Sequence, residues 1–533
     1  MASLSNPLKI AGLFLVGAVY LSTSANYLGD WSGDAATYIL LGKSLAQGHG
    51  CQDPILPGSY PFTKYPFLFP AMLAPVIGFF GIDFLAIRVE VALIALMAAV
   101  AWYFYFRERL QTAAGLGLAL AFALHPYSVS FITRTLSETP YLLWTGISFW
   151  TFNRWKKTGQ GTCLATSLAC AVLAFFCRSA GVALFGALIL GVVLEPQLWS
   201  RKVMKIPATL AVVVVSLLAA AGWSFYVLFH PTPVVNYFQE MFQPVFAGRS
   251  VNFAVLLERV QANSWYYFST ISSQLLPGLR PGSAPSIIIS GLLWLLLAAG
   301  AFRAARNRQL LEVFYFAFSI AMVMVWPCYL EFRFLFPLLP LMLMFGYESI
   351  LLIARAMPSP NSAKAFKYAS FALFSGAWLC YTCLVLVSQH RPNPFPPSAQ
   401  SMFGFSIEKP VIDWSKTFYA YHSPKNLSYL GEFIALNQLA AEIIPPQAVI
   451  ASAKPSDTAL VTGHRCVRLP IAVNPLEAVL YLESWNVDYL IVDRFSPQTD
   501  LAITPLLEEH PNLFEKVAGL PGQISPGIYR FRP

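Results

Sequence analysis

The sequence predicts a polytopic α-helical membrane protein, with about eleven transmembrane helices followed by a C-terminal soluble α/β domain. Three observations lead there: the composition, the spacing of long apolar runs, and a change of pattern near residue 391. Of 533 residues, 56% are hydrophobic and 11% are charged, where a soluble domain carries about 25% charged residues. The mean hydropathy is +0.57. Lys and Arg give a net charge of +9, but they form small clusters between apolar runs rather than one patch, so nucleic acid is not an expected partner. The eight cysteines are scattered along the chain, and Cys163, Cys170, Cys177, Cys380 and Cys383 lie inside apolar runs. Neither a zinc site nor a disulfide framework is indicated.

A helix crossing a bilayer needs about 20 apolar residues. Candidate spans lie near 8 to 25, 84 to 105, 112 to 126, 138 to 153, 163 to 178, 180 to 195, 206 to 229, 285 to 302, 311 to 328, 334 to 354 and 370 to 388. Basic residues occupy alternate connections: Arg107 and Arg109; Arg154, Lys156 and Lys157; Arg201, Lys202 and Lys205; Arg303, Arg306 and Arg308; Arg355, Lys364 and Lys367. With Lys9, they put the N-terminus in the cytoplasm. The opposite face receives the loop from 26 to 83, the connection from 230 to 284, the turn before residue 334, and everything after about 389. Ser22-Thr-Ser-Ala25 resembles a small-residue cleavage site, and removal of the first span would leave every later side unchanged.

Residues 1 to 390 therefore read as the membrane domain and 391 to 533 as an extracytoplasmic accessory domain. Pro392, Pro394, Pro396 and Pro397 make a stiff connection between them. Ala448 to Ser452 and Tyr489 to Asp493 are β-branched runs of buried-strand type, with helical patterns at 430 to 443, 475 to 484 and 501 to 508. No Gly-rich phosphate loop follows either strand.

The ionisable residues of the outer face stand out. Asp34 follows the first span and precedes a helical pattern running to Gln47, with Asp30 nearby. This segment reads as a short amphipathic helix on the membrane surface, with Asp34 suited to cap it. Lys64 sits among aromatic residues and prolines in the same loop, where snorkelling is its ordinary role. Arg88 starts the second long span. Arg134 and Glu138 flank the start of the fourth, at the i,i+4 spacing of a helix ion pair. Arg178 interrupts an apolar stretch, and Glu331 and Arg333 precede the tenth span. Each has a structural explanation alone, yet all map to one face, and ionised groups at membrane depth pair or line a cavity. Arg and Lys in such a cavity would bind phosphate, and a carboxylate beside them could take a proton from an attacking hydroxyl.

Gly33-Asp34-x-x-x-Tyr38, Thr63-Lys-Tyr-Pro66, Gly81 to Arg88, Leu136-Ser-Glu138 and Glu331-Phe-Arg-Phe-Leu-x-Pro337-x-x-Pro340 resemble recurring elements of the GT-C glycosyltransferase superfamily. The nearest likeness is to bacterial relatives of the protein mannosyltransferases and to the lipid A aminoarabinose transferases. The resemblance covers about residues 8 to 390, and the C-terminal domain resembles the soluble extension of many members. It implies an inverting transfer of a hexosyl or pentosyl group from a polyprenyl-phosphate donor to a glycan, lipid or protein hydroxyl. Asp34 corresponds to the first-loop base, and Lys64 to a lysine near the donor phosphate, although Lys-Tyr-Pro stands where the family has Lys-Pro-Pro. Arg88 and Arg333 are further phosphate-binding candidates; Asp30, Tyr38, Arg134, Glu138, Arg178 and Glu331 are supporting candidates. Ala35 after Asp34 departs from the Asp-Glu pair of eukaryotic protein mannosyltransferases. No ligand cluster in the sequence demands a cofactor, and a divalent metal shared by phosphate and carboxylate is compatible with the site. The implied location is a bacterial inner membrane. Competing classes are a transporter or flippase of lipid-linked or anionic substrates, for which no second copy of the Asp34 loop is found, and an inactive scaffold.

Overall fold

The computed structural model describes residues 6–25, 33–110, 112–194, 202–233, 239, 252–276, 279–327, 332–366, 370, 424–470, 474–494, 499–519 and 523–533. Asp30, Glu331, the expected span from 370 to 388 beyond its first residue, the proline-rich connection and the boundary near 391 lie outside them.

All the other expected spans coincide with helices. They are α1 (Asn6–Ala25), α4 (Phe84–Arg109), α5 (Thr112–Ala123), α7 (Glu138–Thr158), α8 (Gly161–Cys177), α9 (Val182–Val193), α10 (Lys202–Phe229), α12 (Ala284–Arg306), α13 (Leu310–Val325) and α14 (Leu339–Arg355). Within the first loop lie α2 (Asp34–Ala46) and α3 (Leu68–Phe80), and α6 (Pro126–Ser130) follows α5. Among the described residues, four helical stretches are long and apolar enough to cross a membrane: Phe84–Arg109, Pro207–Phe229, Ala284–Arg306 and Phe336–Arg355. Thr112–Ala123 with Pro126–Thr133, bent by 48°, would make a fifth. The expected eleven go beyond this set, because helices such as α8 and α9 have only 17 and 12 residues.

Helix ends carry the chemistry that stops and starts them. Asp83 caps α4 by accepting the Ala86 N–H at 2.8 Å, and Arg107 and Arg109 close its last turn, where cations suit the helix dipole. Gly159 ends α7 in the left-handed conformation. The aromatic side chains of Trp102, Tyr105, Phe106, Phe149 and Trp155 are fully buried between α4 and α7, and the Trp102 indole N–H reaches the Leu142 carbonyl at 3.1 Å. This packing fixes the start of α7. A Cβ at Gly300 of α12 would run into the Phe345 backbone of α14, so these helices touch through their main chains. Within the helical body α6 was not foreseen, nor was α11 (Phe253–Leu275), where Glu258, Arg259, Gln261 and Asn263 interrupt the apolar pattern.

The C-terminal part begins with α15 (Pro424–Ile443) and builds a five-stranded sheet from β1 (Val449–Ser452), β2 (Arg465–Arg468), β3 (Tyr489–Val492), β4 (Phe514–Gly519) and β5 (Gly527–Phe531). The order is β2-β1-β3-β5-β4; β1 is parallel to β2 and β3, whereas β5 runs antiparallel to β3 and β4. The two foreseen strands, β1 and β3, are its buried centre. Helices α16 (Pro455–Thr462), α17 (Pro475–Ser484) and α18 (Thr504–Glu509) connect the strands. One sheet face shares a single buried cluster with the helical body through Phe433, Leu436, Ile450 and Ile528, and the other packs its own cluster around Leu482, Leu490 and Leu506.

Candidate active site

Asp34 does not cap α2. Gly33 occupies the N-cap position without a side-chain bond, and Asp34 is the first helical residue. Its carboxylate is committed elsewhere: Oδ1 accepts the Tyr65 hydroxyl at 2.5 Å and Oδ2 accepts Arg333 Nη2 at 2.7 Å. The helix is also not a surface helix. Ala35 to Gly42 are all buried, because α3 covers one side and α16 another.

Arg333 connects two acids. Its Nε donates to Glu138 Oε1 at 2.6 Å, and the same oxygen takes Arg178 Nη1 at 2.7 Å. Arg178 Nη1 lies 3.4 Å from Ser137 Oγ, which accepts the Tyr38 hydroxyl at 3.0 Å. A continuous chain therefore runs Tyr65, Asp34, Arg333, Glu138, Arg178, Ser137, Tyr38. The expected Arg134–Glu138 pair is replaced: Glu138 faces Arg178 and Arg333, while the buried Arg134 stacks its guanidinium 5.3 Å from the Phe131 ring. The reason is geometric. Arg134 precedes α7 in an extended conformation, so helical i,i+4 spacing never applies.

Local structure aims each group. Glu138 is the first residue of α7, where the helix dipole favours a carboxylate. Arg178 ends α8 in an extended conformation that turns its side chain away from the helix axis. Arg333 is anchored by its neighbours: the Phe332 ring lies 4.8 Å from Tyr127 in a tilted pair and stacks with His125 at 6.2 Å, and Phe336 stacks on Phe131 at 4.3 Å. Lys64 places its ammonium 5.7 Å from the Tyr65 ring and acts on Asp34 through its charge. Arg88 is buried, with its Nε given to the Phe84 carbonyl at 3.1 Å, and it is not a member of the chain joining Asp34 to Glu138.

Burial pushes the Asp34 carboxyl up, but Arg333, the Tyr65 hydroxyl and Lys64 together outweigh it and hold the group at about 2. The carboxylate is ionised yet keeps 31% of its side-chain exposure, whereas Glu138 keeps none. Among the described residues, Arg178, Arg333 and Lys64 gather around the acids Asp34 and Glu138, a set of cations suited to an anion. An apolar cavity of about 320 Å³ adjoins Tyr65, lined by Leu41, Phe62, Phe67, Phe176, Trp223 and Tyr226 among others.

Sequence reasoning placed Tyr65 and Ser137 within motifs without giving either a role. Their signal was adjacency, to Lys64 and Glu138. It overlooked Asp457 and Ser456, which reach α2 from the sheet region: Gly33 N–H donates to Asp457 Oδ1 at 2.6 Å, and the Thr37 hydroxyl donates to Ser456 Oγ at 2.9 Å. Among the described residues, no group of three or more His, Cys, Asp or Glu is arranged to hold a metal ion.

No family model matches the chain, and no curated protein matches it in sequence. Solved structures do match. ArnT from Cupriavidus metallidurans bound to undecaprenyl phosphate superposes with a TM-score of 0.53 at 14% identity, over 98% of this chain and 97% of that one. The Archaeoglobus fulgidus oligosaccharyltransferase tethered with an acceptor peptide gives 0.53 at 12% identity, over 91% of this chain and 69% of that one. The same archaeal enzyme in complex with Zn and sulfate gives 0.53 at 12% identity, over 90% and 67%. Helical body, C-terminal sheet and these likenesses together show that the chain has the fold of the GT-C membrane glycosyltransferases.

Proposed function

We propose that the protein is an inverting membrane glycosyltransferase. It moves a hexosyl or pentosyl group from a polyprenyl-phosphate donor to a hydroxyl of a glycan, lipid or protein on the extracytoplasmic face of a bacterial inner membrane. The observation that carries this reading is the hydrogen-bonded chain from Tyr65 through Asp34, Arg333 and Glu138 to Arg178. ArnT was crystallised with undecaprenyl phosphate, which supports a lipid-linked donor here.

In the reaction Asp34 takes the acceptor proton as the acceptor oxygen attacks the anomeric carbon, and the bond from that carbon to the phosphate oxygen breaks. The polyprenyl phosphate leaves with the electron pair. Lys64 and Arg333 meet the charge that develops on it, with Arg88 as a further candidate. A carboxylate near 2 is a weak base in the resting site. Arg333 resolves the mismatch: when it turns to a donor phosphate, Asp34 loses the partner that most stabilises its carboxylate and becomes more basic as the substrate arrives. Glu138 holds the Arg333 Nε while its Nη2 changes partner. The apolar cavity beside Tyr65 accommodates isoprenoid units next to the phosphate.

The test uses purified protein in nanodiscs with a panel of radiolabelled undecaprenyl-phosphate hexoses and pentoses. Sugar transfer with release of undecaprenyl phosphate is expected from at least one donor and not from Asp34→Asn. Movement of an intact sugar lipid across the bilayer, with no bond broken, would establish the transporter class instead.

A further inference from the structure

The helix that carries Asp34 is held from the sheet side as well as from the helical body. Gly33, immediately before Asp34, has φ +61 and ψ −113, a region that glycine occupies without strain. Its N–H is fixed by Asp457 Oδ1 at 2.6 Å, and its carbonyl is fixed by the Thr37 N–H at 3.1 Å and hydroxyl at 3.0 Å. Both peptide planes that meet at Gly33 are thereby set. Asp457 is fully buried, lies in the first turn of α16, and has Lys454 Nζ 3.8 Å from its other oxygen. The positive ends of two helices, α16 and α2, thus share one carboxylate.

We propose that Asp457 is a positioning residue for Asp34, so that the C-terminal sheet region is part of the catalytic apparatus and not an appendage. The inference rests on the reading of Asp34 as the base. Glycine populates positive and negative φ about equally, so an unanchored Gly33 leaves the direction of the next side chain open. Anchored, it delivers the Asp34 carboxylate to Tyr65 and Arg333 together. The contact is reinforced where Arg465 Nη1 donates to the Asp53 carbonyl at 2.9 Å and Cys466 N–H to the Ile55 carbonyl at 2.7 Å. Misplacement of a reacting group by about 1 Å costs roughly 100-fold in rate.

The experiment compares full-length protein in nanodiscs with Asp457→Ala and Asp457→Asn, by hydrogen exchange without ligand and by transfer from the undecaprenyl-phosphate sugar that the wild type uses. In Asp457→Ala, amide exchange of residues 33 to 38 should quicken about tenfold while β1 and β3 stay protected. Turnover should fall about 100-fold with KM little changed. Asparagine keeps an acceptor oxygen for Gly33 and should restore both readouts most of the way. Unchanged exchange at 33 to 38 in Asp457→Ala would overturn the proposal, as would loss of protection throughout the sheet. An Asp34→Asn variant with full activity would overturn the base assignment alone, since the exchange result stands without it.

Discussion

At one end of α7, Glu138 shares an oxygen with two guanidinium groups that lead on to Asp34; at the other, Arg154 and Lys157 lie 3.6 and 3.9 Å from Glu108. Near that second end the body also buries two further ion pairs, Arg109 with Glu312 and Arg303 with Glu348, the latter at 2.6 Å. Buried charge alone therefore does not mark a site in this molecule. The difference lies in openness and balance. Glu312 and Glu348 are closed off and each has its own arginine, and Tyr105 adds a 2.8 Å bond to Glu312. Asp34 and Arg333 keep 31% and 19% of their exposure, and Lys64 adds a further cation acting on Asp34. A closed pair can only hold helices together, whereas an open, cation-rich network can exchange a partner for a substrate.

Substitutions can break this contrast. Asp34→Asn should reduce sugar transfer by roughly 100- to 10,000-fold, the usual contribution of a general base, with undecaprenyl phosphate binding retained in equilibrium binding assays. Next, Glu348→Ala should cost about 3–5 kcal/mol in thermal or denaturant unfolding, because it strands the buried Arg303, and Glu138→Ala should cost less, because Arg178 and Arg333 are partly exposed and Arg333 keeps Asp34. Only Glu138→Ala should also remove turnover from the folded fraction; equal turnover loss in both would erase the distinction between the two ends. Arg333→Gln should act on pH behaviour. The Asp34 carboxyl is held below its usual range, so the stability it contributes is present above about pH 4 and lost as pH falls toward about 2. Without Arg333 the lower edge of that window, and the acidic limb of any pH–rate profile, should move upward. Smaller still, Lys64→Met should weaken undecaprenyl phosphate binding about three- to tenfold, an effect that shrinks with added salt.

Much of this was legible in the chain. The apolar runs located α1, α4, α5, α7 to α10 and α12 to α14, because a 3.6-residue pattern rich in Leu and Ala admits few other structures. Asp34, Glu138, Arg178 and Arg333 were legible as charges out of place in such runs. Their connections were not, since a sequence separation of 299 residues between Asp34 and Arg333 leaves no local trace. The i,i+4 rule misled for Arg134, which stands before the helix rather than on it. β2, β4 and β5 escaped because Arg465 and Arg468 bracket one short strand and Gly and Pro crowd the turn between the other two. Asp457 gave no sign at all: an acid in the first turn of an eight-residue helix reads as an ordinary dipole partner.

The bond from Cys466 N–H to the Ile55 carbonyl also bears on how the protein can be handled. β2 is an edge strand of the sheet, and that bond is where the first loop covers its open side. A C-terminal fragment expressed alone would present this row of amide groups to other copies of itself. Such a fragment should associate edge to edge, and adding residues 47 to 67 as a tethered peptide should suppress the association.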